Sequence, residues 1–214
     1  YRSGTYEAAL ADADRFIKQH PRHANIDYVY YLRGITNYNR TENTIDSILS
    51  SSGTKRDPTN LRQAFTDFNL LVQNYPDSIF NKDAQLRMID IRHRLADYEL
   101  NVAEYYTSRR AWVAASRRAQ FVLEHYQGSD SIPRALEILE QSYRALGVED
   151  MAQDAHAILM TSYPGYMLNR TEFYRQRAGL KPRYELPPLD QRPETRQAEQ
   201  KPEEVPKEDT VSQR

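Results

Sequence analysis

Apolar residues recur at steps of three and four along most of the chain before Pro164. The clearest stretch is 97–126, which contains two apolar stripes separated by a polar break at 108–110. The first stripe consists of Tyr98, Val102 and Tyr106, and the second consists of Trp112, Ala115, Ala119 and Val122. Because this spacing places apolar side chains on one face of a helix, it predicts a helical hairpin.

The same spacing predicts further helices, each bounded by turn-forming residues. They cover about 4–20, 26–39, 59–75, 80–106, 110–126, 129–146, 150–163 and 169–178. Pro21, Pro76 and Pro164 are expected to end helices, because proline cannot continue the hydrogen-bond ladder. Gly34 costs about 1 kcal/mol relative to Ala inside a helix, so it indicates a close contact with a second helix. Asp77 and Ser78 are expected to cap the long helix that follows them.

The predicted helices repeat in pairs. The second helix of each pair has a small residue twelve positions before its last residue or stop: Ala9 with Pro21, Ala64 with Pro76, Ala115 with Gln127 and Ala152 with Pro164. This pattern resembles the tetratricopeptide repeat, although the stops lie further apart than the ideal period of about 34 residues. The sequence therefore predicts an all-α fold, an α-α superhelix or solenoid of degenerate tetratricopeptide-like repeats.

The composition changes near Lys181, after which proline residues alternate with charged ones. Such a segment buries too little apolar surface to offset the entropy of ordering it. We therefore predict a repeat domain over 1–179 and a disordered tail over 180–214. Because Gly4 falls in the middle of a repeat and the chain does not begin with Met, we expect the first repeat and any targeting signal to be missing from this sequence.

Composition and motifs favour no enzymatic chemistry. A net charge of -1 gives no bulk attraction to nucleic acid. The chain lacks cysteine, its five histidines do not have the spacing of a metal site, and its carboxylates are spread singly. We therefore expect no catalytic residue, no metal and no cofactor. An enzyme with a helical-repeat body is a rival interpretation that would require a buried cluster of histidines and carboxylates.

Arginines occur in adjacent pairs, Arg109–Arg110 and Arg117–Arg118. One interpretation is a solvated helix face. The other is an anchor for an acidic surface of a partner protein, a role for which Arg is well suited.

Several short segments together resemble one family. They are 25–29 with Arg33–Gly34, 56–58, 64–68, 75–76 and, most specifically, Val102–Thr107 followed by Ala111–Ala114. In one-letter code the last two read VAEYYT and AWVA. This set resembles the BamD family, the tetratricopeptide-repeat lipoproteins of outer-membrane β-barrel assembly, over about 1–163. The loop before Arg56 departs from the family, since it is Ser-rich where the family has aromatic residues.

The resemblance implies a non-enzymatic scaffold at the periplasmic face of the outer membrane, held there by an N-terminal lipid. It implies binding to BamA, to BamC and BamE type proteins and to unfolded outer-membrane β-barrel proteins. The family's BamA contact falls on Arg118, with Arg117 beside it. The positions implied for accessory lipoproteins and substrate peptides are Asn25, Asp27, Tyr28, Tyr31 and Arg33. A generic periplasmic tetratricopeptide-repeat adaptor that binds peptides is the alternative, although such a repeat constrains few positions of the VAEYYT segment.

Overall fold

A computed structural model describes residues 6–40 and 58–168, and every regular element in these two ranges is an α-helix. The helices are α1 (Tyr6–Gln19), α2 (Ile26–Arg40), α3 (Thr59–Asn74), α4 (Asn81–Ser108), α5 (Trp112–His125), α6 (Ile132–Ala145), α7 (Glu149–Ser162) and α8 (Pro164–Leu168). The predicted helix at 169–178, the Ser-rich loop and the predicted boundary between 179 and 180 lie outside the described residues.

Consecutive helices pack against each other along the chain, and α4 also contacts α6. The resulting pairs are α2 with α3, α4 with α5 and α6 with α7, in the order that the repeat pattern predicts. Each pair buries its apolar stripe against its neighbours, which is how helical repeats build a continuous core. The predicted all-α solenoid of tetratricopeptide-like repeats is confirmed.

The core has two parts of different composition. The N-terminal part is rich in aromatic and large aliphatic residues: Tyr31, Ile35, Tyr38, Leu61, Ala64, Phe68, Leu71, Ala84, Ile91 and Leu95. The C-terminal part is rich in alanine: Ala96, Leu100, Ala103, Ala115, Ala119, Val122, Ala135, Ile138, Leu139, Tyr143, Ala152 and Ala155. The long helix α4 contributes to both parts, so it joins the two halves of the solenoid.

Gly34 marks the closest approach of α2 to α3. A Cβ atom at this position would lie 2.6 Å from Cε1 of Phe68, nearer than two such atoms can pack. The close helix contact that Gly34 indicates is therefore confirmed.

The cap predicted for α4 and the role predicted for Pro164 need correction. The N-cap of α4 is Phe80 and makes no side-chain capping bond. The Ser78 hydroxyl donates to Oδ2 of Asp27 on α2 (2.7 Å) and accepts a long hydrogen bond from the backbone N–H of Phe80 (3.4 Å), so this residue connects the turn before α4 to α2. Pro164 follows the end of α7 as predicted, but it also begins α8, because proline fits the first turn of a helix.

The turn between α4 and α5 has an unusual conformation. Arg110 has φ of 59°, a left-handed conformation that residues with a Cβ rarely adopt. Gly147, between α6 and α7, has φ of 75°, which glycine adopts without strain. The left-handed backbone of Arg110 in this turn therefore costs conformational energy that the surrounding packing must offset.

Candidate partner-binding site

Arg118 lies on α5 and is held by a buried carboxylate of α4. Its Nη1 donates to Oε2 of Glu99 (2.7 Å), while Nη2 of Arg62 on α3 donates to Oε1 of the same carboxylate (3.1 Å). The Glu99 side chain is 1% exposed, whereas Arg118 and Arg62 are 45% and 52% exposed. The hydrogen bond to Glu99, with the charge of this residue, raises the pKa of Arg118 above its ordinary value. One edge of Arg118 is therefore anchored, and the rest of the guanidinium faces solvent.

Tyr126 lies where this ion-pair network meets the core. It ends α5, and its ring packs against both parts of the core. Burial raises the pKa of Tyr126, and the nearby Arg62 partly opposes that increase. The network is therefore built on residues from three helices and is fixed by packing at the junction of the two halves.

Arg117, next to Arg118, lies in an open groove of about 570 Å³. The groove is lined by Tyr106, Arg110, Ala111, Trp112, Val113, Ala114, Arg117, Arg118 and Leu146. Val113 and Leu146 are exposed apolar side chains, while Trp112 is half-buried. Arg117 is exposed and forms no ion pair with any other described residue. An apolar surface edged by arginines can contact a partner that carries carboxylates beside apolar side chains.

The predicted N-terminal site residues are mostly engaged within the fold. Tyr31 is buried; its ring stacks on Phe80 with centroids 4.7 Å apart, and its hydroxyl donates to Asp83 (2.6 Å). The half-buried Tyr28 also packs on Phe80, with ring centroids 5.5 Å apart. Asp27 accepts the hydrogen bond from Ser78. These contacts stabilise the turns before α2 and α4, and binding of a partner by the same residues stays a prediction.

Asn25 and Arg33 complete the predicted N-terminal set and lie at different places on the repeat. The half-buried Asn25 is in the turn before α2, where its backbone N–H donates to Nδ1 of His23 (3.1 Å). Arg33 is on α2 and is bound to the carboxylates of Asp67 (2.6 Å) and Asp14 (2.6 Å). Arg33 therefore has a clear structural role, and nothing in its contacts tests a role in recognition.

Asp67 is the second buried carboxylate and has no solvent exposure. It accepts hydrogen bonds from Nε and Nη2 of Arg33, from Asn37 and from Gln63. Burial raises the pKa of Asp67, and these donors only partly offset the effect. Burial alone lowers the pKa of Arg33, but its two carboxylate partners raise it above the ordinary value. Burial therefore dominates at Asp67, whose side chain is completely enclosed, whereas the two carboxylates dominate at Arg33, which is 15% exposed.

Four carboxylates form a stripe along α4, which the description of the acidic residues as singly spread does not predict. The stripe consists of Asp83, Asp90, Asp97 and Glu104. Their partners are Tyr31 and Tyr38 on α2, Ser131 at the N-cap of α6 and Arg134 on α6. The sequence signal for this stripe is the spacing of seven residues between its carboxylates, and Tyr31 and Tyr38 on α2 have the same spacing. Asp67 and Glu99 had no such signal, because neither belongs to a series of carboxylates at a regular spacing.

The described residues contain no assembled metal site and no membrane-spanning helix. Across 6–40 and 58–168, no three His, Cys, Asp or Glu side chains lie close enough together to hold a metal ion. In the same two ranges, no helix combines the length and hydropathy that crossing a bilayer requires.

The chain is similar to known proteins over most of its length. Residues 1–158 match the model of the YfiO family, described as outer membrane lipoprotein. A relative from Xylella fastidiosa (strain Temecula1 / ATCC 700964), outer membrane protein assembly factor BamD, is 39% identical over 166 residues, which are 78% of this chain and 57% of that protein. The factors of the same name from Neisseria meningitidis (serogroup A) and Vibrio cholerae are 37% and 35% identical, over 77% and 70% of this chain. The matches span 61% and 62% of those two proteins, so the chain covers less than two thirds of each of these relatives.

Proposed function

The chain belongs to the YfiO family of outer membrane lipoproteins, and on that basis we propose that it is a non-enzymatic scaffold in the assembly of outer-membrane proteins. Its relatives are named as assembly factors, which supports this role. The scaffold is held at the periplasmic face of the outer membrane by an N-terminal lipid, in keeping with the family's description as outer membrane lipoprotein. Its partners are BamA, BamC and BamE type proteins and unfolded outer-membrane β-barrel proteins.

The observation that carries the proposal is the anchored arginine on α5. Arg118 is fixed by the buried Glu99 but keeps nearly half of its side chain exposed. A guanidinium that is already oriented loses less conformational entropy when a partner carboxylate binds to it. Arg118 therefore supplies a charge-assisted contact to an acidic residue of BamA. Arg117 adds a second positive charge at the edge of the adjoining apolar groove.

The N-terminal half contributes the second set of contacts in this proposal. Accessory lipoproteins and substrate peptides bind around Asn25, Asp27, Tyr28, Tyr31 and Arg33. Asn25 and Tyr28, which are half-buried, offer the partner amide and aromatic surface. Tyr31 and Arg33 act mainly by holding α2 in place through Asp83 and Asp67.

The test is a pull-down of purified BamA by this chain and its variants. Arg117→Glu reverses a charge that has no ion pair among the described residues, so we expect weaker capture with an unchanged fold. Arg118→Met removes the central cation without placing a second carboxylate against Glu99, as Arg118→Glu would. We expect both variants to lose at least about tenfold in apparent affinity.

Lys82→Glu is the matched control, because it makes the same charge reversal at an exposed position on the first turn of α4. This variant should capture BamA as the wild type does. The far-UV circular dichroism of every variant verifies the fold. Wild-type capture by both Arg117→Glu and Arg118→Met would refute the assignment of this surface to BamA.

A further inference from the structure

A second groove runs along the C-terminal half, between α5 and α7, with α6 as its floor. Its volume is about 300 Å³. Leu123 and Glu124 lie on the α5 wall, Met151, Asp154 and Ile158 on the α7 wall, and Tyr143 on the floor. None of these residues lines the groove around Arg117.

The α7 wall presents apolar side chains to solvent. Met151 and Ile158 are both exposed, although large apolar residues usually turn inward on a helix of this kind. They are seven residues apart, so they lie on the same face, two turns from each other. Methionine is unbranched and polarizable, which lets it adapt to apolar partners of different shape. This wall is therefore suited to contact an apolar stripe of another helix.

Carboxylates flank the apolar part of this groove on both walls. Glu124 is on α5 and Asp154 is on α7, and both are exposed. Among the described residues neither forms an ion pair with a Lys or Arg, although Nδ1 of His125 lies 4.0 Å from Oε2 of Glu124. The groove therefore carries negative charge that is not neutralised within the described part of the chain.

The far end of this groove is fixed by a hydrogen bond. Nε2 of Gln120 on α5 donates to the hydroxyl of Tyr143 on α6 (2.8 Å). Gln120 lies one turn beyond Arg117 on the same helix, so the arginines of α5 precede this bond and Glu124 follows it. The two grooves therefore differ in the sign of the charges at their edges.

We propose that the groove between α5 and α7 binds an amphipathic helix of a partner protein that carries Lys or Arg beside an apolar stripe. The apolar stripe packs on Met151 and Ile158, and the basic residues face Glu124 and Asp154. Recognition of an amphipathic helix by a groove between helices needs apolar anchors at steps of three, four and seven. Complementary charges along the groove then determine which helices bind. This site is separate from the surface around Arg118 that is proposed to bind BamA, and its assignment does not depend on that proposal.

The test uses two synthetic helical peptides and the full chain. Both peptides have Leu at steps of three and four; one has Lys on its flanks, and the matched peptide has Glu at the same positions. Binding is followed by the fluorescence anisotropy of labelled peptide. The Lys peptide should bind about tenfold more tightly than the Glu peptide. The double variant Glu124→Lys/Asp154→Lys should reverse this preference, and Ile158→Asp should abolish binding of the Lys peptide.

Two further variants localise the effect. Ile79→Asp makes the same change at an exposed position just before α4, outside the groove, and should bind the Lys peptide as the wild type does. Arg117→Glu should also leave that binding unchanged, which separates this groove from the one proposed for BamA. If circular dichroism shows that Ile158→Asp does not fold, Ile158→Ser replaces it and should likewise abolish binding of the Lys peptide.

Three outcomes would overturn the proposal. The first is failure of the Lys peptide to bind, or equal binding of the two peptides. The second is wild-type affinity for the Lys peptide after reversal of Glu124 and Asp154. The third is wild-type affinity in the Ile158 variant.

Discussion

Asp67 and Glu99, the two carboxylates that are buried among the described residues, are neutralised in different ways. Asp67 is enclosed between α2 and α3, and its cation Arg33 is itself only 15% exposed. Glu99 lies between α3 and α5, and its two arginines are each about half exposed. The first site is therefore closed, and the second presents two cations at the surface.

The difference separates a structural role from a role in recognition. Arg33 divides its guanidinium between Asp67 and Asp14, so its donors are used inside the protein. Arg118 donates only to Glu99 among the described residues, and Arg62 remains on that carboxylate if Arg118 is drawn toward a partner. A partner can thus engage Arg118 without leaving a buried charge unpaired, which would be costly.

The largest expected effect of a single substitution is at the closed site. Arg33→Met leaves the enclosed Asp67 with only Asn37 and Gln63 as donors, so we expect a loss of about 3 kcal/mol in the free energy of unfolding. Urea denaturation followed by circular dichroism measures it. Arg15→Met is the matched control, because Arg15 pairs with Asp12 on the surface, and it should change stability by less than about 0.5 kcal/mol. A loss below about 1 kcal/mol in Arg33→Met would contradict the closed-site interpretation.

The helices were predictable from the sequence because their signals are local. Apolar steps of three and four and the stops at Pro21 and Pro76 determined the boundaries to within a few residues. The start of α4 is accurate to one residue, but its predicted cap is wrong: Phe80 is the N-cap, and the Ser78 hydroxyl donates to Asp27, which lies 51 residues away in sequence. Capping preferences describe only the nearest turn, so they cannot anticipate such a competing tertiary contact.

The candidate site was predictable only in part. Its basic character follows from the adjacent Arg117 and Arg118. Glu99, however, lies 19 residues before Arg118 in the sequence, and Arg62 lies 37 residues before Glu99. Neither distance in sequence corresponds to a helical period, so spacing cannot reveal that the three side chains meet. The buried carboxylate between two exposed arginines is a property of how α3, α4 and α5 stack.

The open site should show strong coupling between its two arginines. Either Arg62→Met or Arg118→Met alone leaves one cation on Glu99, so each should cost about 1 kcal/mol. The double variant leaves Glu99 buried without a cation, so the loss should exceed the sum of the single losses by about 2 kcal/mol. A double-mutant cycle from urea denaturation measures this coupling.

The coupling has a specific control. Adding Glu99→Gln to the double variant removes the unpaired charge and should restore most of the coupling energy, since a neutral amide is less costly to bury. Additive single effects, or no recovery with Glu99→Gln, would mean that the two arginines do not share the carboxylate in solution.

The smallest expected effect is a pH dependence at the closed site, and its sign tests which force dominates there. Burial raises the pKa of Asp67 in the folded protein, whereas the unfolded chain has an ordinary Asp pKa near 4. Just above pH 4 the Asp67 carboxyl group therefore stays protonated in the folded protein after it has lost its proton in the unfolded chain. The stabilising contribution of Asp67 is therefore fully present below about pH 4 and is lost as the pH rises through the folded-state pKa. The Asp67→Asn variant has no titratable group at this position. All other titratable groups, including Arg33 and Asp14, are present in both proteins. The difference in unfolding free energy, wild type minus variant, should consequently fall between pH 4 and neutral pH in urea titrations. If this difference in unfolding free energy instead rises with pH, the charge of Arg33 has a larger effect on the pKa of Asp67 than burial has. The closed and open sites would then differ only in how exposed their arginines are.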